Sequence, residues 1–483
     1  MSTCIKICRE ETKLDRRDFL TANLTVALGL GVGGKLKAAS GKGTPNIIVI
    51  DGDDLGWKEV GCFGNSNVST PGIDRLANEG VKFTNAFVAS PSCSPSRAAS
   101  ITGKAPHTTG VFGLTHINPE FSLSPKAEAF PRILKDSGYS TAIQGKWHES
   151  VKNLPGSFGY GQYLMDLKGG PASIMKVPDA KKPCAFIKKH KDEPFYLELN
   201  FTQTHRMVED PKSKAFSQNP RFPVDPEKVK IPDYWALPDW PEIKKDAAGY
   251  WSQVMAMDAI VGDILKCLDE NKIAENTLVI LWGDNGPPFP GMKMCLYDRG
   301  AGTPLLMRWP AKFLAGLVRN ELVSIIDLAP TILECAGVET PADFQGKSLV
   351  PLGEGKDVKW RDAVFTEMSW HVYYQPMRAV RTDKWKLIWN LSKDPVNLDQ
   401  CIDFEWAQKA IELPWLFAYR ERPPIELYDI IADPNEKQNL AAGKTIDQAE
   451  QDPKYGSIVR ELMARLKDWR AQTKDIEPQP KGA

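Results

Sequence analysis

A cysteine heads a short segment whose residue types could do chemistry: Cys93-Ser94-Pro95-Ser96-Arg97, running on to Thr102-Gly103. Proline suits the first turn of a helix, where a missing N–H costs nothing. The segment therefore predicts a loop entering a helix, with Cys93 at the positive end where anions are favoured and Arg97 one turn on beside it. A bare thiol so placed would be an activated thiolate. The plain alternative is an ordinary helix start with a buried cysteine. Two polar pairs, Asp53-Asp54 and Asp284-Asn285, each follow an apolar run. Brought together, their three carboxylates and one amide oxygen would make a hard oxygen cage suited to Ca2+ or Mg2+. Each pair alone could be a helix cap or a turn. Their occurrence alongside Cys93 favours the cage.

The elements able to position these groups read as an α/β fold. Asn46-Ile47-Ile48-Val49-Ile50 and Thr277-Leu278-Val279-Ile280-Leu281-Trp282 are short continuous apolar runs ending in acid, as buried parallel strands do. Thr141-Ala142-Ile143 leads into Lys146-Trp147-His148, and the strand-like Phe195 to Phe201 ends near His205. Helices are expected from Thr70-Pro71 to Gly80, over 131–138, and over 249–268, where Val254, Met257, Val261, Ile264 and Leu268 recur at helical spacing. In such folds polar chemistry gathers at the carboxyl edge of the sheet. From about residue 361 the texture changes to strand-like pieces around 363–365, 377–381 and 385–388, followed by Leu427-Tyr428-Asp429 and a last amphipathic helix. We read residues 44–360 as a catalytic domain, 361–472 as a smaller C-terminal α+β subdomain and 473–483 as a disordered tail.

Lys+Arg and Asp+Glu both number 61, so bulk charge argues for no nucleic-acid partner. Arg16-Arg17 precedes a modest apolar stretch, and Ala38-Ala39-Ser40 could be cleaved; residues 1–40 resemble a twin-arginine export signal. The expected destination is periplasmic or extracellular. No later run is long and apolar enough to span a bilayer, so no membrane association is expected in the mature form. The nine cysteines are scattered and none forms a Cys-x-x-Cys pair, which argues against a zinc ribbon. His107, His116 and His190 carry no motif and read as structural. Asp51 lies beside the first acidic pair and is left out of the cage.

Together these motifs resemble those of the type I sulfatase family, in the alkaline phosphatase superfamily. Cys93-x-Pro95-Ser96-Arg97 with Thr102-Gly103 is similar to that family's signature for oxidation of cysteine to formylglycine. Asp53-Asp54-Leu55-Gly56, Gly145-Lys146-Trp147-His148, Asp284-Asn285-Gly286 and Leu427-Tyr428-Asp429 follow in the family's order, over roughly residues 45–470. Within the family, Gly110-Val111-Phe112-Gly113-Leu114, His205-Arg206, Asp284 to Pro290 and Pro376-Met377-Arg378-Ala379-Val380 resemble the sulfamidase (heparan N-sulfatase) branch. There are departures. Gly302 stands where many members carry an arginine, Lys293 where the sulfamidase branch has arginine, and Thr204 where many relatives have proline. Lysine offers a sulfonate no bidentate fork.

The resemblance implies an alkaline phosphatase-like fold, a large mixed sheet sandwiched by helices. It implies a divalent cation held by Asp53, Asp54, Asp284 and Asn285 together with residue 93, and formylglycine at Cys93 as nucleophile. Asp284 takes the nucleophile's proton, Arg97 and Lys146 stabilise developing charge, His205 with Lys293 protonates the leaving group, and His148 takes the second proton. Arg206, His371 and Trp370 are candidate substrate contacts, Trp370 equally a core residue. Implied partners are a sulfated saccharide, best an N-sulfoglucosamine unit, and a formylglycine-generating or radical maturase. The alternatives are an O-sulfatase on another polysaccharide and, with Cys93 unmodified, a non-catalytic sulfated-glycan-binding protein. A phosphatase of the same superfamily is disfavoured, since the cysteine element has no role there.

Overall fold

The apolar runs are continuous because they are covered on both faces. In the computed structural model, which describes residues 44–165, 179–206, 215–392, 405–414 and 422–476, Asn46–Gly52 (β1) is buried throughout. Its Ile48 and Ile50 enter one apolar cluster while Ile47 and Val49 enter another on the opposite side. Alternate residues of a strand point to opposite faces, so a strand sandwiched between helix layers must be apolar at every position. The first layer holds Ile73 and Leu76 of the Pro71–Asn78 helix and Val254, Met257 and Val261 of the Pro241–Glu270 helix. The second holds Ala98 and Ile101 of the Cys93–Thr102 helix and Ile332 and Leu333 of the Leu328–Cys335 helix.

The remaining strands follow in chain order: β2 (Val81–Phe83), β3 (Ala86–Phe87), β4 (Ser140–Gly145), β5 (Gln162–Tyr163), β6 (Phe195–Phe201), β7 (Thr277–Gly283) and β8 (Leu305–Arg308). Next come β9 (Leu317–Arg319), β10 (Val323–Ser324), β11 (Ala363–Trp370), β12 (Tyr374–Thr382), β13 (Trp385–Asn390) and β14 (Ile425–Asp429). The large sheet has the order β5-β4-β6-β1-β7-β8-β2-β9. Strands β4, β6, β1 and β7 are consecutive neighbours and mutually parallel, and β8 runs antiparallel to β7. The fold is the expected α/β architecture with a large mixed sheet. A second, antiparallel sheet β11-β12-β13-β14 carries the Gly456–Thr473 helix, whose Val459, Leu462, Met463 and Leu466 pack on Val380, Leu387 and Leu427. Met368, Met377, Ala379 and Ile388 of that sheet join the core of the large domain.

Two boundaries differ from the sequence reading. The long helix begins at Pro241 rather than 249, because proline opens its first turn and the polar Lys244-Lys245-Asp246 hides the apolar period there. The expected disordered tail from 473 is corrected over its first residues. Asp475 is a buried anchor, its carboxylate paired at 2.7 Å with Arg378 and at 2.7 Å with Arg470. Residues 1–40, where an export signal is expected, and 477–483 lie outside the described residues. No helix among the described residues is long and apolar enough to cross a membrane.

Candidate active site

Four neighbouring parallel strands end at one edge of the large sheet, and each hands over a polar loop there. β1 is followed by Asp53 and Asp54, β7 by Asp284 and Asn285, β4 by Lys146 and His148, and β6 by Thr204 and His205. Gly52 pairs with Gly283 across β1 and β7, which sets the two acidic pairs side by side. The Asp54 backbone N–H donates to Asp284 Oδ1 at 2.9 Å, and Asp54 sits in the left-handed region with φ 62°. Asp is among the few non-glycine types that adopt this region readily.

The Cys93–Thr102 helix enters this edge with Cys93 as its first residue, after the extended Ser92, and all its residues are buried. Cys93 Sγ lies 3.6 Å from Asp53 Oδ1 and 4.0 Å from Asp54 Oδ1. One turn on, Arg97 pairs with Asp51 at 2.7 Å and Asp284 at 2.8 Å. Lys146 Nζ donates to both oxygens of Asp53 at 2.8 Å, and Lys293 Nζ reaches Asp54 Oδ1 at 2.7 Å. Asn285 donates to Asp54 Oδ1 at 2.7 Å, leaving its own Oδ1 buried without a hydrogen-bond partner, as is Asp54 Oδ2.

His205 lies against Asp53, Asp54 and Cys93, their ligand atoms all within 4.8 Å of one another, and its Nδ1 has no hydrogen-bond partner. His371, contributed by the turn between β11 and β12, accepts or donates at Nδ1 to Ser92 Oγ at 2.8 Å and keeps Nε2 buried and unpartnered. The structure thus gathers Cys93, Arg97, Lys146, His148, His205, Lys293 and the four oxygen-bearing residues, with His371 beside them. Trp370 stays partly buried, its ring 5.6 Å from Phe121 and 4.9 Å from Tyr374.

Electrostatics explain how such a cage folds. Burial opposes ionisation of Asp53, yet Lys146, His205 and Arg97 together hold it well below the usual carboxylate range. Burial pushes Asp284 up to about 7, Arg97 pulling the other way, and lifts Asp51 well above its ordinary value. Burial lowers His205 to about 4 and His371 well below the imidazole range. The expected activated thiolate is corrected. Burial raises the Cys93 thiol above its ordinary value despite Lys146 and Lys293, so an unmodified cysteine here stays protonated. Carboxylates driven to hold protons, beside orphaned oxygens on Asp54 and Asn285, fit a hard divalent cation.

Arg206 has partners of its own within the protein. The guanidinium expected to face a substrate is buried inside the protein, paired with Asp246 at 3.0 Å and stacked 4.5 Å over Phe216 and 5.0 Å over Phe289. Its Nη2 also donates to Pro288 O at 3.2 Å, so it props the loop that follows Asn285. Two contributors stand outside the residues expected from the sequence. Asp51, set aside there, lies within β1 two residues before Asp53 and pairs with Arg97 at 2.7 Å. His116, whose Nδ1 is 2.7 Å from His148 Nε2, left no signal in the sequence.

The fold and site define a hydrolase class: an α/β sheet whose carboxyl edge holds a buried pocket of paired acids and cations around the first residue of one helix. Comparison with known proteins makes this specific. The sulfatase family profile matches residues 45–338, and a profile for the C-terminal region of N-sulphoglucosamine sulphohydrolase matches residues 292–404. The chain is 31% identical over 478 residues to the N-sulphoglucosamine sulphohydrolase of Homo sapiens, spanning 89% of this chain and 90% of that one. It is 29% identical over 451 residues to an ulvan-active sulfatase of Formosa agariphila, spanning 89% and 81%. A solved structure of a protein in complex with its substrate D-glucosamine-2-N,6-O-disulfate matches with TM-score 0.64 at 21% identity, covering 91% of this chain and 100% of that one. The chain belongs to the sulfatase family, and it is a sulfuric ester hydrolase of that kind.

Proposed function

We propose that the protein removes sulfate from a sulfated saccharide, with an N-sulfoglucosamine unit as the preferred substrate. The observation that carries the chemistry is Cys93 at the head of a buried helix, 3.6 Å from Asp53 and within a shell of paired carboxylates and cations. The saccharide preference draws support from the similarity to N-sulphoglucosamine sulphohydrolase, which extends into the C-terminal sheet. The fold neighbour bound to a doubly sulfated glucosamine supports the same chemical class.

A divalent cation, Ca2+ by its oxygen donors, and formylglycine at position 93 would together supply a Lewis acid and a hydroxyl nucleophile for attack on sulfur. Asp53, Asp54, Asp284 and Asn285 would hold the cation. Asp284, paired with Arg97 at 2.8 Å beside Cys93's helix, would take the nucleophile's proton. Lys146 and Arg97 neutralise charge that develops in the buried pocket, where each such contact is strengthened by the low dielectric. Burial keeps His205 neutral before substrate enters; a sulfate monoanion beside it raises its proton affinity, so it can then pass a proton to the leaving atom with Lys293 alongside. His148 accepts a proton on the other side of the cycle. Formylglycine at residue 93 would be made from the cysteine by a maturase, and the twin-arginine segment suits export to the periplasm or beyond.

The test is sulfate release from N-sulfoglucosamine and from 6-O-sulfated glucosamine, after mass spectrometry has established formylglycine at residue 93. Release from the N-sulfated sugar, lost in Cys93→Ala, is expected. Release from the O-sulfated sugar alone would keep the sulfatase chemistry and overturn the N-sulfate preference. Sulfated-glycan binding without turnover by fully modified protein would overturn the catalytic reading.

A further inference from the structure

His148 is buried, at 9% exposed, whereas its neighbour His116 is exposed. His148 Nε2 lies 2.7 Å from His116 Nδ1, and the two rings sit 4.9 Å apart at 24°. At the inner end of the His148 ring, Nδ1 is buried with no hydrogen-bond partner. The loop between them is stapled to the site. Thr115 Oγ1 donates to His148 O at 2.9 Å, and the Thr115 N–H donates at 3.3 Å to the hydroxyl of Ser94, next to Cys93. The His148 N–H in turn donates to Glu149 at 2.7 Å. The pair therefore forms a hydrogen-bonded line from an inward-facing nitrogen to the protein surface.

We propose that His116 relays protons between His148 and solvent. The inference rests on the reading of His148 as a proton acceptor in sulfate hydrolysis. A proton arriving at His148 Nδ1 lets the Nε2 proton pass to His116 Nδ1, and His116 releases its own Nε2 proton to water. Within the pair only N–H bonds form and break, water takes up the proton that leaves, and one proton leaves for each that enters. The reverse hop restores both tautomers when the site takes a proton back for the next turnover. A charged His148 is disfavoured where it stands: burial, then Lys146, then His116 hold it well below the usual imidazole range, with Arg97 adding to this and Asp53 opposing it. His116 feels burial, Lys146 and Lys293 in the same direction, but its ring meets water and can discharge at once. The relay spares the pocket a trapped imidazolium.

The test compares His116→Ala, His116→Gln and His148→Ala with the native enzyme, each with formylglycine occupancy matched. His116 is exposed, so an unchanged melting temperature is expected in its variants. In His116→Ala we expect kcat to fall about 10- to 100-fold with KM unchanged, and imidazole in the medium to restore it, as for a displaced proton carrier. His116→Gln can still hydrogen-bond His148 but cannot carry a proton, so it should be equally slow. Native kcat in His116→Gln would overturn the relay and leave an orienting contact. A second readout needs no turnover: nitrogen NMR of the histidine rings in Cys93→Ala protein. The His148 Nε2 resonance is expected to shift when His116 is replaced, and no shift would overturn the pair itself. If His148→Ala keeps native kcat, the reading of His148 fails first and takes the relay with it. If His148→Ala is inactive while His116→Gln is native, only the relay fails.

Discussion

Asp54 shows how much one side chain carries. It holds a left-handed backbone, accepts from Lys293 and Asn285 at Oδ1, and keeps Oδ2 free of hydrogen bonds in a buried site. Asparagine tolerates the same backbone region, so Asp54→Asn changes charge while preserving conformation. It also leaves the Lys293 ammonium facing an uncharged group. The expected outcome is a lowered melting temperature, from the buried pair with Lys293 broken on one side, and a divalent-cation affinity lower by at least about tenfold, since hard cations favour charged oxygen ligands. Isothermal calorimetry with Ca2+ checks it, and unchanged affinity would remove Asp54 from the cage. Lys146 is constrained differently. It donates to both oxygens of Asp53, and Lys146→Ala would leave that buried carboxylate short of its closest countercharge. Loss of one partner from a buried pair costs about 3–5 kcal/mol, so this variant should lower both stability and turnover. A urea midpoint equal to native would show that Arg97 and Lys293 suffice.

The strands position these groups only if they approach closely. At Gly145, the last residue of β4, φ is 96° and an added Cβ would lie 1.9 Å from Asn200 O on β6. No side chain fits there without separating the two strands, and Lys146 and His148 follow immediately. Gly145→Ala should cost about 1–3 kcal/mol from overpacking, with further strain from the left-handed backbone. Because the lost geometry belongs to Lys146 and His148, kcat should fall more than stability accounts for. Parallel measurement of urea unfolding and sulfate release separates the two effects. Native turnover in a stably folded Gly145→Ala would mean that β4 can shift without moving its loop.

The C-terminal sheet is fastened to the large domain by a buried ionic network. Asp475 pairs with Arg378 on β12 and with Arg470 on the last helix; Arg378 lies 3.7 Å from Glu367 on β11; and Glu367 bonds the His107 ring beyond the cysteine helix. Burial alone would raise Asp475, but Arg378 outweighs it and holds the carboxyl at about 2. A depressed carboxyl stabilises the fold above its unfolded value near 3.8, and that stability is lost as pH falls towards 2. Burial opposes charge on His107, and Glu367 outweighs it, raising the imidazole above 6.5. Its contribution has the opposite sign: present in full below 6.5 and lost as pH rises through the raised value. Asp475→Asn is expected to cost about 3–5 kcal/mol in urea unfolding at neutral pH, as for a buried pair broken on one side. His107→Gln should flatten the alkaline decline in stability, and an unchanged slope would assign that decline to another group.

The helix start at Cys93, the two acidic pairs at strand ends and the α/β frame could all be read from the chain, because each is a local pattern. A buried parallel strand must be apolar on both faces, a helix start tolerates proline, and acid after an apolar run marks a sheet edge. Asp53, Asp54, Cys93, Arg97, Lys146, Asp284 and Asn285 all lie within such patterns, and the structure brings them together. The pairing of Arg206 is invisible in the chain because its partner Asp246 lies 40 residues away on a helix face and its ring neighbours Phe216 and Phe289 come from two separate segments. The Cys93 thiol was misjudged because a helix end predicts a lowered thiol pKa, whereas burial is a property of the surrounding fold and acts the other way. His116 and Asp475 carry no local signature at all. Spacing along a chain determines which face of a strand or helix a group occupies, but whether that group meets water, a counterion or another imidazole depends on segments far away in sequence, and only their packing decides it.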